Sequence, residues 1–370
     1  MQFCDVIMSF LSLSVQRCPR GLPDARASTR CVSFEVHYTH HSKGDKPLDV
    51  SSARARLDQE GYVVVRGLLD AERDLAPLRA EYEVLLDAVA RRLESDGVVS
   101  RAYGHLPFGS RYCALVQEMG GSLANELDIC LPQKGVKAGT SVHCGPAAFG
   151  LLTNPRLLDV VEAVIGPEIY SNPTQHVRIK PPEQSLAADG VVVGEVARTV
   201  WHQDLATIMP EADDSRILTV WIPITEATRE NGCMLVAPRS HRRGLVTHCP
   251  DPNSNYSRHA IPDRLVGDRR VALAMRPGDV LFLTMLTMHA SLPNLSGDIR
   301  WSVDLRYQPI GQPTGRSWFP GFVARSRRDP ERVLPDAAAW ANLWREAKER
   351  LLAEPPATFQ RWEDGDPDCA

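Results

Sequence analysis

No stretch of this sequence approaches the ~18 consecutive apolar residues that a membrane-crossing helix requires. The best candidate, Val6 to Val15, is short and interrupted by three serines, so the chain reads as one that does not span a membrane. It also lacks an excess of positive charge: 42 Lys and Arg stand against 46 Asp and Glu, a formal charge of -4. No global basic field draws it to nucleic acid, and partners must be argued from local sites. The nine cysteines (Cys4, Cys18, Cys31, Cys113, Cys130, Cys144, Cys233, Cys249 and Cys369) form no C-x-x-C pair and keep no regular spacing. They read as free thiols in a reducing compartment. There is no internal repeat and no Gly-rich phosphate cradle. What is present is an ordinary globular composition, 43% hydrophobic and 24% charged over 370 residues, enough for one large catalytic domain.

Residues 1–46 show neither helical nor strand period and read as a disordered or loosely attached segment. Its arginines and serines fit a mitochondrial transit peptide, but Asp5, Asp24 and Glu35 do not. The expected compartment is therefore cytoplasmic, with the mitochondrion as the alternative. From Asp58 the chain becomes organised. Gly61 to Gly67 is a β-branched run bounded by glycines. Leu75, Leu78, Tyr82, Leu85, Leu86, Val89 and Leu93 then recur at helical steps, with Asp74 before Pro77 as the expected start. Asn154-Pro155 and Gly166-Pro167 punctuate a second helix. Between about Tyr170 and Pro309 the texture turns to short β-type runs: Gln175–Lys180, Val191–Val200, Arg216–Thr225, Cys233–Ala237, Val280–Met288 and Ile299–Tyr307. Asn231-Gly232 and Pro277-Gly278-Asp279 supply turns between them. Many short strands in one stretch imply a sandwich or barrel. The expected fold is α+β with a mainly β core, a double-stranded β-helix (jelly roll, cupin-like) with flanking helices. It forms a single domain over 47–370 with its core at about 170–310 and a helical C-terminal tail.

Two segments carry chemistry. In Thr199-Val200-Trp201-His202-Gln203-Asp204, His202 and Asp204 are two apart, so an extended chain presents imidazole and carboxylate on one face. Eleven histidines in an Asp-rich chain yield roughly one such H-x-D by accident, so the pair needs support. It comes from Met288-His289-Ala290-Ser291, a turn-like Pro293 to Asp298, and Ile299-Arg300-Trp301, which together read as a hairpin carrying one His and one Arg. Two histidines and a carboxylate on one face of an iron octahedron leave positions open, the arrangement of non-haem iron(II) oxygenases. A 2-oxoacid chelating such an ion needs a buried cation for its distal carboxylate. Arg300 suits that role because guanidinium grips carboxylates in a bidentate fork, and Ser291 offers a further hydrogen bond.

His202-Gln203-Asp204, Trp221-Ile222-Pro223, Asn231-Gly232, Pro238-Arg239-Ser240-His241, Pro277-Gly278-Asp279, His289, Ser291 and Arg300 stand in the order found in phytanoyl-CoA dioxygenases, which the chain resembles from about Leu57 to Arg327. The resemblance implies an Fe(II)- and 2-oxoglutarate-dependent dioxygenase that consumes O2, oxidises a small organic substrate, and releases succinate and CO2. By the same resemblance His202, Asp204 and His289 bind the metal, Arg300 and Ser291 hold 2-oxoglutarate, and Trp221 lies beside it. The strand Gln175 to Pro182 lines the site in relatives, which puts His176 and Arg178 inward and makes His176 a co-substrate contact. One departure is Pro238-Arg239-Ser240-His241 in place of P-G-S-H. Relatives that chlorinate replace the metal-binding Asp by Ala or Gly, so Asp204 implies hydroxylation or another oxidation.

Arg306 alternates in phase with Arg300 and is a candidate substrate contact. Tyr103 and His105 sit in Val98–Ala114, read as an irregular lid segment that brings them to the substrate. Trp318 to Phe322 is the candidate closure on the other side, while Trp201 and Trp301 read as outward packing. No role is assigned to His143, His241, His248 or His259. Nothing marks a coenzyme A site, and oligomeric state is not legible. A cupin metalloenzyme without 2-oxoglutarate and a non-catalytic jelly-roll binding protein are the alternatives; Arg300 and Ser291 argue against the first, the complete ligand set against the second.

Overall fold

Strand β12, Arg300–Pro309, organises the molecule. Its residues alternate in kind: Trp301, Val303, Leu305 and Tyr307 are apolar or aromatic, while Arg300, Ser302, Asp304 and Arg306 are polar. In a pleated strand these sets occupy opposite faces, so one face packs and the other is left for chemistry. In a computed structural model, residues 36–38, 50–183, 199–251, 259–354, 356, 361–362 and 366–369 are described. They lie in one unit, Glu35–Ala370.

Among these residues a seven-stranded sheet contains β2 (Tyr62–Val65), β3 (Ile169–Ser171), β4 (His176–Lys180), β5 (Leu218–Pro223), β10 (Val280–Thr284), β12 and β13 (Phe322–Arg325), in the order β13-β3-β12-β5-β10-β2 with β4 also on β12. A four-stranded sheet runs β1 (Val36–Tyr38), β9 (Arg270–Leu273), β6 (Met234–Val236), β11 (His289–Ser291). His202 forms an isolated bridge with His289 at the free side of β11. A short pair, β7 (Cys249–Pro250) with β8 (His259–Ala260), stands apart.

The described helices are α1 (Val50–Glu60), α2 (Ala76–Ser95), α3 (Phe108–Met119), α4 (Ala124–Leu127), α5 (Pro146–Leu152), α6 (Pro155–Ile165), α7 (Asp263–Val266) and α8 (Ala337–Ala353), and α2, α3, α5, α6 and α8 cover the outer face of the large sheet. Val177, Val220, Ile222, Phe282, Val303 and Leu305 share one buried cluster with Leu78, Leu86, Leu157, Val161, Trp340 and Trp344. Trp301 stacks on Phe108 at 5.0 Å between ring centroids, outward packing as its position predicts. The opposite face contributes Trp221, Leu281 and Leu283, which meet Met234, Val236, Val271 and Leu273 of the small sheet. Two sheets face to face, with helices behind the larger one, make the expected jelly roll.

Local chemistry sets the boundaries. Asn154 caps α6, its side chain accepting from the Arg156 and Leu157 amides. The first long helix starts earlier than Asp74: Asp70 caps a π-helical turn, Ala71–Leu75, that runs into α2. Gly278 sits at φ +98, and a Cβ there would come within 2.5 Å of the Leu69 carbonyl; only glycine fits this turn. At the departed P-G-S-H position Arg239 holds φ +66, a conformation glycine adopts more readily, and pairs with Glu60 at 2.8 Å.

Four expectations are corrected. His289 and Arg300 do not share a hairpin: β11 belongs to the small sheet and β12 to the large one, so the connection is an arch between sheets. The Val98–Ala114 segment is not irregular throughout, since α3 begins at Phe108. Against the expected free thiols, Cys249 and Cys369 are joined in a disulfide across 120 residues, while Cys113, Cys130, Cys144 and Cys233 are free. Strands β2 and β13 extend the barrel beyond 170–310 on both sides. Of the N-terminal segment Val36–Tyr38 pairs in parallel with β9, and most of the strand read at Val191–Val200 lies outside the described residues. Among the described residues no helix is long and apolar enough to cross a membrane.

Candidate active site

His202 and His289 meet because their backbones pair: each amide donates to the other's carbonyl at 3.0 Å. The imidazole centroids are 4.1 Å apart. Asp204 follows at the first position of a 3-10 turn, Asp204–Thr207. Its Oδ1 lies 3.6 Å from His202 Nε2 and 3.7 Å from His289 Nε2. The three potential ligand atoms all fall within 4.8 Å of one another.

Their protonation suits a cation. His202 Nδ1 is 2.9 Å from the Val200 carbonyl, and His289 Nδ1 is 2.9 Å from that of Thr287. A carbonyl only accepts, so each Nδ1 carries the proton and each Nε2 keeps its lone pair for a metal. Burial holds His289 down to about 4, neutral at physiological pH. Burial alone would raise the Asp204 carboxyl, but the Arg306 guanidinium holds it well below the carboxylate range. Arg306 Nη2 pairs with its Oδ1 at 2.9 Å and Thr219 Oγ1 donates to Oδ2 at 2.5 Å.

Gln203 fastens this turn from behind. Its side-chain amide donates to the Gly244 and Leu286 carbonyls and accepts from the Val246 amide. Its backbone amide donates to His248 Nε2 at 3.0 Å. That nitrogen is an acceptor because His248 Nδ1 donates to the Val246 carbonyl, and burial lowers this imidazole to about 3. Trp362 stacks on His248 at 5.0 Å.

The triad opens into a cavity of about 380 Å³. Arg300 and Lys180, cross-strand partners on β12 and β4, line it and are each 3% exposed. The Arg300 guanidinium lies 5.6 Å from the Trp221 ring and donates to Ser302 Oγ. Lys180 Nζ donates to Ser291 Oγ at 2.7 Å, and burial, then Arg300, lowers its pKa well below the usual lysine range. Ser291 Oγ also accepts from the Thr199 amide. With both lone pairs engaged, its proton is left to donate. A buried arginine, a lysine and a hydroxyl donor thus converge where a carboxylate fits.

His176 and Arg178 face the cavity as alternation predicts, His176 bonded to Asp128 at 2.7 Å and Arg178 paired with Asp304 at 3.4 Å. Burial raises Asp128 to about 7. Tyr103 and His105 do not line the cavity: the Tyr103 hydroxyl donates to Glu118 of α3, and His105 is exposed. Trp318 does line it, whereas Phe319 packs in the core. His143 is bonded to Glu81 away from the cavity. Sequence reading missed Lys180, although the alternation that placed His176 and Arg178 inward reaches it two residues on. It also missed Thr219, His248 and Arg316, whose positions depend on the fold.

The profile of the phytanoyl-CoA dioxygenase (PhyH) family matches residues 57–302. The 1-deoxypentalenic acid 11-beta-hydroxylase of Streptomyces arenae is 28% identical over 277 residues, covering 72% of this chain and 84% of that protein. The peroxisomal phytanoyl-CoA dioxygenase of Bos taurus is 30% identical over 286 residues, covering 75% and 78%. Among solved structures, the epimerase SnoN in complex with Fe3+, alpha ketoglutarate and nogalamycin RO aligns at TM-score 0.45 and 22% identity, over 73% of this chain and 88% of that one. The chain belongs to the phytanoyl-CoA dioxygenase family and is an Fe(II)- and 2-oxoglutarate-dependent oxygenase.

Proposed function

We propose that His202, Asp204 and His289 hold the iron, that Arg300, Lys180 and Ser291 hold the distal carboxylate of 2-oxoglutarate, and that the enzyme hydroxylates a small organic molecule. The observation that carries this reading is the pairing of two lone-pair-bearing Nε2 atoms and an ionised carboxylate with a separate, buried anion site in one cavity. Bound iron and 2-oxoglutarate together supply the oxidising chemistry, by which O2, 2-oxoglutarate and a substrate C–H bond give an alcohol, succinate and CO2.

The chain's own contribution is geometry and charge. Backbone carbonyls fix both imidazole tautomers, Thr219 and Arg306 hold the Asp204 carboxylate in place, and Trp221 and His176 line the same cavity. A wall assembled from the two sheets together with Pro356, Arg361 and Trp362 limits water at the reacting centre.

The test is succinate release and O2 uptake by anaerobically purified, iron(II)-loaded protein. Wild type is expected to consume 2-oxoglutarate slowly without a prime substrate. His202→Ala should abolish this turnover, and Arg300→Ala should require far more 2-oxoglutarate. Fully metallated protein that neither binds nor consumes 2-oxoglutarate would overturn the co-substrate assignment.

A further inference from the structure

Besides Arg300 and Lys180, two more buried arginines line the cavity, Arg306 and Arg316, and among the described residues only Arg306 has a counter-charge. Arg306 is paired with Asp204 at 2.9 Å, and its Nε is buried without a partner. Arg316, 3% exposed, lines the same cavity from the segment between β12 and β13. Its Nη2 donates to the Thr207 carbonyl, and among the described residues no carboxylate lies within ion-pair reach of it. Burying an unpaired charge is costly. Burial and the neighbouring Arg306 lower Arg316 to about 10, which still leaves it charged at neutral pH.

Iron(II) and 2-oxoglutarate do not supply the missing negative charge, since the charges of the ion and of the dianion cancel. Elsewhere along the wall Arg178 pairs with Asp304, His176 with Asp128, and Arg361 with Asp213. Apolar side chains also line this cavity. Met209, whose amide bonds the Gly315 carbonyl, Leu131 and Trp318 are among them.

We propose that the prime substrate is an organic acid whose anionic head pairs with Arg316 beside Arg306, while its apolar body lies against Leu131, Met209 and Trp318. The inference rests on the co-substrate assignment above, which reserves Arg300 and Lys180 for 2-oxoglutarate.

The test uses the full chain loaded with manganese(II) and excess 2-oxoglutarate without oxygen, so that nothing turns over. Benzoate, cyclohexanecarboxylate and decanoate are titrated calorimetrically against their primary amides. At least one acid is expected to bind about tenfold or more tightly than its amide, the scale of one charge-assisted hydrogen bond. Arg316→Gln should bring that ratio within about threefold, and Arg316→Lys, which keeps the charge, should retain part of it. The proposal is wrong if no acid is preferred over its amide by the wild type, a comparison that needs no variant. It is equally wrong if the preference survives in folded Arg316→Gln. The affinity of Arg316→Gln for 2-oxoglutarate separates the two readings. It should match wild type; a loss like that of Arg300→Gln would make Arg316 a co-substrate anchor, overturning this proposal and leaving the oxygenase reading intact. Wild type that binds no 2-oxoglutarate would overturn both.

Discussion

Thr219 and Arg306 hold the two oxygens of Asp204 from opposite strands, β5 and β12, whose residues 219 and 306 are direct register partners. A hydroxyl donor that orients a ligating carboxylate is worth about 10- to 100-fold in metal affinity when removed. Thr219→Val should therefore weaken manganese(II) binding by at least about tenfold while the melting temperature changes little. Lys180→Met should raise the KM for 2-oxoglutarate with a smaller effect on kcat, because the contact is made before the reaction as well as during it. His248 gives a pH dependence. Its pKa falls from 6.5 in the unfolded chain to about 3 when buried. Between those values the unfolded state binds more protons, so stability rises with pH there, is complete above 6.5, and is lost as pH falls toward 3. Urea melts from pH 7 to pH 4 should show wild type losing on the order of a few kcal/mol, with a flatter acid limb in His248→Gln. At this scale the sequence shows identities well and partners poorly. The triad, Arg300, Ser291 and Trp221 are legible because their spacing is short or their motif ordered. Thr219 is not, because its role arises from a register between residues 87 positions apart in the chain, a nonlocal fact.

Strands and helices follow local chemistry wherever local chemistry suffices. The Asn154 cap and the helix behind it are legible from residue identity alone, as is the Pro277-Gly278-Asp279 turn, where the Asp279 carboxylate accepts from the Gly67 and Arg276 amides. The arch between β11 and β12 is not, because strand, turn and strand look alike whether the strands pair with each other or with different sheets. Gly232 tests the local argument. It holds φ +95, and a Cβ there would lie 2.6 Å from the Leu292 carbonyl, so Gly232→Ala must move backbone. A loss of roughly 1–3 kcal/mol is expected, read as a lower urea midpoint with unchanged slope.

Across the whole molecule, the two sheets and the helical layer are recoverable from hydrophobic period. The Cys249–Cys369 link is not, because residues 120 positions apart carry no mutual signal until the barrel has formed. Cys369→Ser should lower stability by about 2–4 kcal/mol, measured as the melting temperature under non-reducing conditions. Dithiothreitol should lower wild type to the same value and leave the variant unchanged.

Pro356, Arg361 and Trp362 line the cavity from the far side of the barrel sequence. On a translating ribosome His202, Asp204, His289, Arg300 and Arg316 are all made before these wall residues. The last part of the cavity wall is thus also the last of its lining to be synthesised.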